Sequence, residues 1–275
     1  MPSEFEATGA AGALRGDVTG DGPPIVLLHG LTATRRYVTM GSKGLPRAGY
    51  RTIAYDARGH GESHRAEDRS AYGYGELVAD LEAVLDDFSI ERAALAGVSM
   101  GAHTAASFAL LRPDRVAALV LITPAYNGHP HTDVGSWDRL ADGLERDGVD
   151  GFLEAWGARD VADRWREAAL ENARQRLERH RDPAAVADAL RVVPRSTAFE
   201  GLDALREVEA PALVVGSRDD ADPTHRLGVA ERWVERMPRA ELLVEDEGSS
   251  PLAWQGARLS RAMAGFLGRS GWGGG

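Results

Sequence analysis

The sequence predicts an α/β fold: a mostly parallel sheet flanked by helices, with a run of helices inserted between two of its strands. Three observations predict it. Short apolar, β-branched runs alternate with helical patterns, as consecutive βαβ units require. That rhythm stops between Tyr126 and about Asp203, where the chain reads as helices only. The length, 275 residues, holds one large α/β domain with an inserted subdomain.

The elements follow in order. Residues 8–20 supply one or two antiparallel edge strands, since the stretch from Gly16 to Gly22 reads as a turn region. Buried strands are predicted at 24–28, 50–55, 93–96, 116–122, 212–215 and 241–244. A helix over 75–88 carries Leu77, Leu81, Val84 and Leu85 on one face. Further helices are predicted at 99–111, 224–237 and 252–267. Within the insertion, helices fall at 137–145, 151–157, 161–180 and 183–190. The charged run from Asp163 to Glu167 reads as a solvated helix face. The chain therefore divides into a core, 1–125 and 204–270, a helical cap, 126–203, and a frayed tail, 271–275.

Composition narrows the function classes. The formal net charge is -10, so a phosphate backbone repels the surface on average and nucleic acid is not an expected partner. The chain has no cysteine, which removes disulfides, thiolate metal sites and cysteine nucleophiles together. The start of the sequence has early acidic residues and no apolar run of signal-peptide length, and nothing reaches membrane-spanning length. A cytoplasmic protein without membrane association is expected. Lys43 is the only lysine among many arginines, a bias that suggests a GC-rich bacterial source. There is no Walker loop, dinucleotide fingerprint or metal-ligand cluster, and no cofactor is expected. The sequence leaves the oligomeric state open.

The strongest motif is Gly97-Val98-Ser99-Met100-Gly101, between a buried strand and a helix rich in small residues. A turn this tight leaves no room for side chains two residues either side of the serine. It lifts the Ser99 hydroxyl clear of the sheet at a helix N-terminus, where free N–H groups favour a developing negative charge. Ala102, Ala105 and Ala106 let that helix pack closely.

Three motifs occur in order: His29-Gly30-Leu31 after a strand, Asp56-Ala57-Arg58-Gly59-His60-Gly61-Glu62-Ser63, and the serine turn. In this the chain resembles the α/β-hydrolase superfamily, most closely its small esterase, enol-lactonase and haloperoxidase-like branch. The resemblance implies Ser99 as nucleophile and an oxyanion hole from the backbone N–H groups of Leu31 and Met100. It implies loop-shaping rather than catalytic roles for His29 and His60. His103, one turn beyond Ser99, points along the helix rather than at the elbow. The acid belongs after the strand that follows the cap, where Gly216-Ser217-Arg218-Asp219 makes Asp219 the match. Asp220 and Asp222 are neighbouring alternatives, and all three also suit turn and cap formation before the following helix.

The family's histidine belongs after the last strand. There the chain reads Gly248-Ser249-Ser250-Pro251, so Ser249 stands where histidine is expected, and no histidine follows His225. A serine cannot take a proton near neutral pH. Another histidine could substitute, with His225 beyond the acid loop and His129 and His131 at the cap entrance as candidates. Otherwise the site has lost hydrolysis. Leu31, Met100, Tyr126, Trp137, Phe152 and Trp156 are candidate pocket residues, although the aromatics equally suit helix packing. Two functions follow. One is a serine hydrolase for a small hydrophobic ester, lactone or related acyl compound. The other is an impaired hydrolase-fold protein that binds a ligand or works as a lyase or cyclase. An epoxide hydrolase or haloalkane dehalogenase is disfavoured, because those relatives carry Asp at the position of Ser99.

Overall fold

A computed structural model describes residues 2–273. Its eight strands are β1 (Ser3–Gly9), β2 (Gly12–Thr19), β3 (Pro24–Leu28), β4 (Arg51–Tyr55), β5 (Ala93–Val98), β6 (Val116–Ile122), β7 (Ala212–Val215) and β8 (Ala240–Leu243). They form one sheet in the order β1-β2-β4-β3-β5-β6-β7-β8. β1 and β2 pair antiparallel and β2 joins β4 antiparallel; every other pairing is parallel. The turn between β1 and β2 falls at Gly9–Gly12, where Gly12 takes φ +118°, so residues 16–19, expected in a turn, lie inside β2.

The helices are α1 (Gly44–Arg47), α2 (Tyr74–Asp87), α3 (Met100–Leu111), α4 (Val134–Trp156), α5 (Asp163–Leu177), α6 (Pro183–Val192), α7 (Leu227–Arg236) and α8 (Gly256–Arg269). The period-2 alternation of the strands sorts the core onto two faces. Val26, Leu28, Leu95, Leu119, Leu121 and Val214 face α2, α3 and α7. Ile25, Leu27, Val120, Ile122, Leu213 and Val215 face α1 and α8. Each layer is buried by helices that carry their apolar residues on one side, which fixes β5 at the centre of the sheet.

Only helices lie between β6 and β7. α4 breaks at Asp147 and Gly148 (φ +63° at the glycine). Its two halves fold back so closely that a Cβ on Gly143 would lie 2.4 Å from the Gly151 carbonyl oxygen. That explains two predicted helices with a gap between them. At the other end, Trp272 packs on the α8 side of the core and its indole N–H donates to the Pro24 carbonyl (3.1 Å), so residues 271–273 are tied down rather than frayed. Residues 274 and 275 of the expected tail lie outside the described residues. Among the described residues no helix is long and apolar enough to cross a membrane.

Candidate active site

Ser99 stands between β5 and α3 with φ +50° and ψ −112°, a conformation that costs a non-glycine residue on the order of 1–3 kcal/mol. The glycines beside it are dictated by contact. A Cβ on Gly97 would sit 2.2 Å from the backbone of Gly101, and one on Gly101 would sit 2.2 Å from the Leu28 carbonyl oxygen. The Ser99 N–H is spent on the Ile122 carbonyl (2.9 Å), continuing the β5–β6 ladder into the elbow. The N–H groups of Leu31 and Met100 donate no hydrogen bond among the described residues, and both residues line the hollow in front of Ser99.

The loop after β7 supplies the partner of Ser99. Asp222-Pro223-Thr224-His225 is a turn closed by the His225 N–H on the Asp222 carbonyl (3.1 Å), with proline at its second position. The turn brings the two side chains together: His225 Nδ1 donates to Asp222 Oδ1 at 2.8 Å. With its proton on Nδ1, the ring presents an unprotonated Nε2, which accepts from the Ser99 hydroxyl at 2.9 Å. Thr224 Oγ1 also donates to Asp222 Oδ1 (2.9 Å). Burial works to raise the Asp222 pKa, but His225, the Thr224 hydroxyl and the nearby Arg176 guanidinium outweigh it and hold the carboxyl below its ordinary value.

The expected acid does something else. Asp219 makes no hydrogen bond to a histidine among the described residues; its Oδ1 accepts from the Leu227 N–H (2.6 Å), the first of the unpaired donors of α7. Asp220 pairs with Arg164 at the start of α5, and its carbonyl accepts from the Ala162 N–H. Three neighbouring aspartates thus cap a helix, anchor the cap and hold a histidine. The helix expected over 224–237 begins only at Leu227, which leaves His225 on the turn, free to reach the elbow. Ser249 lies in a turn, its N–H donating to the Asp246 carbonyl (3.0 Å), and is not among the residues lining the two hollows that Ser99 borders.

The remaining histidines have other partners. His29 Nε2 accepts from the Ala57 N–H (2.8 Å) while Nδ1 donates to the Gly30 carbonyl (2.9 Å), fixing the Leu31 loop to the Asp56–Ser63 turn. His60 is buried and donates to the Arg58 carbonyl (3.0 Å). His180 accepts from the Gly61 N–H (2.9 Å) and donates to the Thr32 carbonyl (3.0 Å), tying the cap to the same loops. His103 Nε2 accepts from the N–H groups of Ala125 and Tyr126 (3.0 and 3.1 Å), so its Nδ1 donates to the Tyr74 hydroxyl (2.7 Å). His131 lines the hollow against Trp137, with ring centroids 5.4 Å apart, and His129 is exposed.

The Asp56–Ser63 turn is a bracket for these loops. Asp56 receives the Arg35 N–H (2.7 Å) and the Glu62 N–H (3.1 Å) and pairs with the Arg35 guanidinium. A Cβ on Gly61 (φ +51°) would overlap the Asp56 carboxylate, which requires glycine there. Arg58 grips Asp80 of α2 with two bonds of 2.7 Å.

Four buried histidines, His29, His60, His103 and His180, have pKa values lowered by burial and set an acid limit on stability; two of them illustrate it. Burial lowers His103 to about 3, aided by His225 and His131, and lowers His180 to about 4 against the opposing bond to the Thr32 carbonyl. Unfolded, both titrate near 6.5. Below about pH 6.5 the unfolded chain binds protons that the native fold refuses, so stability is complete above that pH and falls as the pH drops toward 4 and 3. Each histidine contributes a slope of about 1.4 kcal/mol per pH unit within its window. Urea titrations between pH 4.5 and 7.5 are expected to show this fall, and His180→Gln should flatten it by about one histidine's share.

Leu31, Met100, Tyr126, Trp137, Phe152 and Trp156 all line the hollow at Ser99, whose volume is about 150 Å³. Tyr74, Thr224 and Arg176, which belong to none of the three sequence motifs, line it as well. The sequence signal for the Asp222–His225 pair is Asp-Pro-Thr-His, a turn that brings its first and fourth residues together. Among the described residues no group of three or more His, Asp or Glu side chains could hold a metal ion.

Comparison with known proteins gives the family and the fold. Residues 23–255 match the model of the alpha/beta hydrolase fold family. A 2-hydroxy-6-oxononadienedioate/2-hydroxy-6-oxononatrienedioate hydrolase of Paraburkholderia phymatum is 32% identical over 234 residues, 81% of this chain and 78% of that protein. Epoxide hydrolase B of Mycobacterium tuberculosis is 40% identical over 107 residues, but the match spans only 39% of this chain and 30% of that enzyme. In three dimensions, a thermophilic esterase from Thermogutta terrifontis superposes with a TM-score of 0.79 at 24% identity, over 98% of this chain and 99% of that one. These relatives are named as hydrolases or as an esterase, and the chain belongs to the α/β-hydrolase-fold family.

Proposed function

We propose that the chain is a serine hydrolase of small carboxylic esters, lactones or related acyl compounds, with Ser99 as nucleophile, His225 as base and Asp222 as acid. The observation that carries this reading is the continuous line from the Ser99 hydroxyl to His225 Nε2 (2.9 Å) and from His225 Nδ1 to Asp222 (2.8 Å). Ser99 Oγ attacks the acyl carbon and its proton passes to Nε2. Asp222 holds the ring in the required tautomer and stabilises the imidazolium. The carbonyl oxygen, now negative, takes hydrogen bonds from the Leu31 and Met100 N–H groups. The imidazolium then protonates the leaving oxygen. Water, deprotonated by His225, releases the acid from Ser99.

The cavity of about 150 Å³ suits a small substrate; a void of that size in another protein holds benzene. The partial likeness to an epoxide hydrolase does not redirect the chemistry, because those enzymes carry Asp where this chain has Ser99. The steps require no cofactor, and the expected partner is a small molecule rather than nucleic acid or membrane. A fluorophosphonate probe tests the reading. The wild-type protein should be labelled at a single site, and Ser99→Ala should abolish labelling. Absence of labelling in the wild type, or its persistence in Ser99→Ala, refutes the role of Ser99.

A further inference from the structure

Arg176 projects from the last turn of α5 into the hollows around the elbow. It forms no ion pair among the described residues, and its Nε is buried without an acceptor. The many surface arginines around it pair with Asp or Glu, as Arg164, Arg174 and Arg191 do. Leaving the Arg176 Nε without water or acceptor is costly, and the rest of its fork of donors borders the hollows with no carboxylate bonded to it. Burial accordingly lowers the Arg176 pKa, against the pull of Asp222 and Tyr37. The carboxylates around it do not remove the deficit. Asp222 Oδ1 is taken by His225 and Thr224, and its charge acts on Arg176 without a direct hydrogen bond or ion pair; Asp160 lines the neighbouring hollow without pairing to Arg176.

The location gives this charge a use. Ser99 lines two adjoining hollows. One runs under the cap aromatics Trp137 and Phe152; the other holds Asn172 and Trp254, with Arg176 bordering both. We propose that Arg176 is an anion subsite: the substrate carries a carboxylate that pairs with this guanidinium while its reacting carbonyl sits over Ser99 and its apolar part lies under the cap. The guanidinium fork matches a carboxylate in two parallel hydrogen bonds, which fixes the orientation of the acyl group as well as its affinity. This deepens the hydrolase reading by naming the substrate class, and in its catalytic form it rests on that reading.

Two measurements separate the ideas. The first compares kcat/KM for mono-4-nitrophenyl glutarate, which is anionic, with that for neutral 4-nitrophenyl pentanoate. The wild type should favour the anionic ester, and Arg176→Gln should lower the ratio of the two values by about 100-fold, the effect of truncating one partner of a buried charge pair. Arg176→Lys should keep part of the preference. An unchanged ratio in Arg176→Gln, or no preference in the wild type, overturns the anion subsite. The second measures glutarate binding to Ser99→Ala and to Ser99→Ala with Arg176→Gln by calorimetry. Binding that disappears only with the arginine supports the subsite even if no ester is hydrolysed, in which case the hydrolase reading alone fails. Ester turnover with no glutarate binding removes the subsite and leaves the hydrolase. A thermal melt of Arg176→Gln no lower than that of the wild type excludes unfolding as the cause, since the substitution removes an unpaired charge.

Discussion

His225→Ala is expected to lower kcat on an activated ester by about 10⁴–10⁶-fold, the effect of removing a base that works as a unit with its serine. The reason is local. The Ser99 hydroxyl has one basic partner, His225 Nε2 at 2.9 Å, and no other histidine bonds to it among the described residues. His103 is committed to the loop after β6, and His29 and His180 to the loops that carry Leu31. His131 reaches the hollow but packs edge-on against Trp137. Truncating His225 leaves the fold intact, since the turn that carries it is held by backbone bonds and by Asp222. Stopped assays at high enzyme concentration read the residual rate, and circular dichroism confirms the fold.

The second large effect distinguishes two carboxylates three positions apart. Asp222→Asn should reduce kcat by about 10⁴-fold, because an amide at that place can donate to Nδ1 and turn the ring into the wrong tautomer, with its proton toward Ser99. Asp219→Ala should change kcat by no more than a few-fold and cost about 1 kcal/mol of stability, the usual effect of losing a side chain that satisfies a helix N-terminal donor. Steady-state kinetics and urea denaturation of the two variants check both halves. A large kinetic loss in Asp219→Ala with none in Asp222→Asn would return the acid to the position that the family pattern suggests.

The sheet and its helices were legible because their signals are local. Val26, Leu28 and Ile25, Leu27 sort onto opposite faces by simple alternation, and the four leucine and valine positions of α2 recur at helical spacing. The elbow was legible because two glycines are forced by contacts with fixed backbone, which any sequence of this fold must respect. The turn between β1 and β2 was misplaced because Gly16 to Gly22 has turn-like composition, whereas pairing with β4 draws residues 16–19 into the sheet.

The placement of Asp222 and His225 beside Ser99 was harder to read for a physical reason. Thr224, His225 and Arg226 contain no helix breaker after Pro223, and the Asp219 carboxylate on the Leu227 N–H marks where the helix starts. That bond forms across the loop, so it is tertiary information. Once the helix begins at Leu227, Pro223 and the Asp222–His225 turn place the carboxylate and the imidazole side by side on one short loop. The family pattern draws them from two loops instead, and Ser249 is left with no catalytic place to fill. Arg176 could not be read at all. Its helix is dominated by solvated charge, and only packing shows that this one arginine faces inward without a partner.

The central claim is that His225 supplies the base that the loop after β8 lacks. The most direct measurement is the second-order rate of fluorophosphonate labelling for the wild type, His225→Ala and Ser249→His. The account predicts that the wild type is labelled, that His225→Ala is slowed by at least about 10³-fold, and that Ser249→His matches the wild type. Labelling that is absent in the wild type and appears in Ser249→His, or that proceeds at the wild-type rate in His225→Ala, would contradict it.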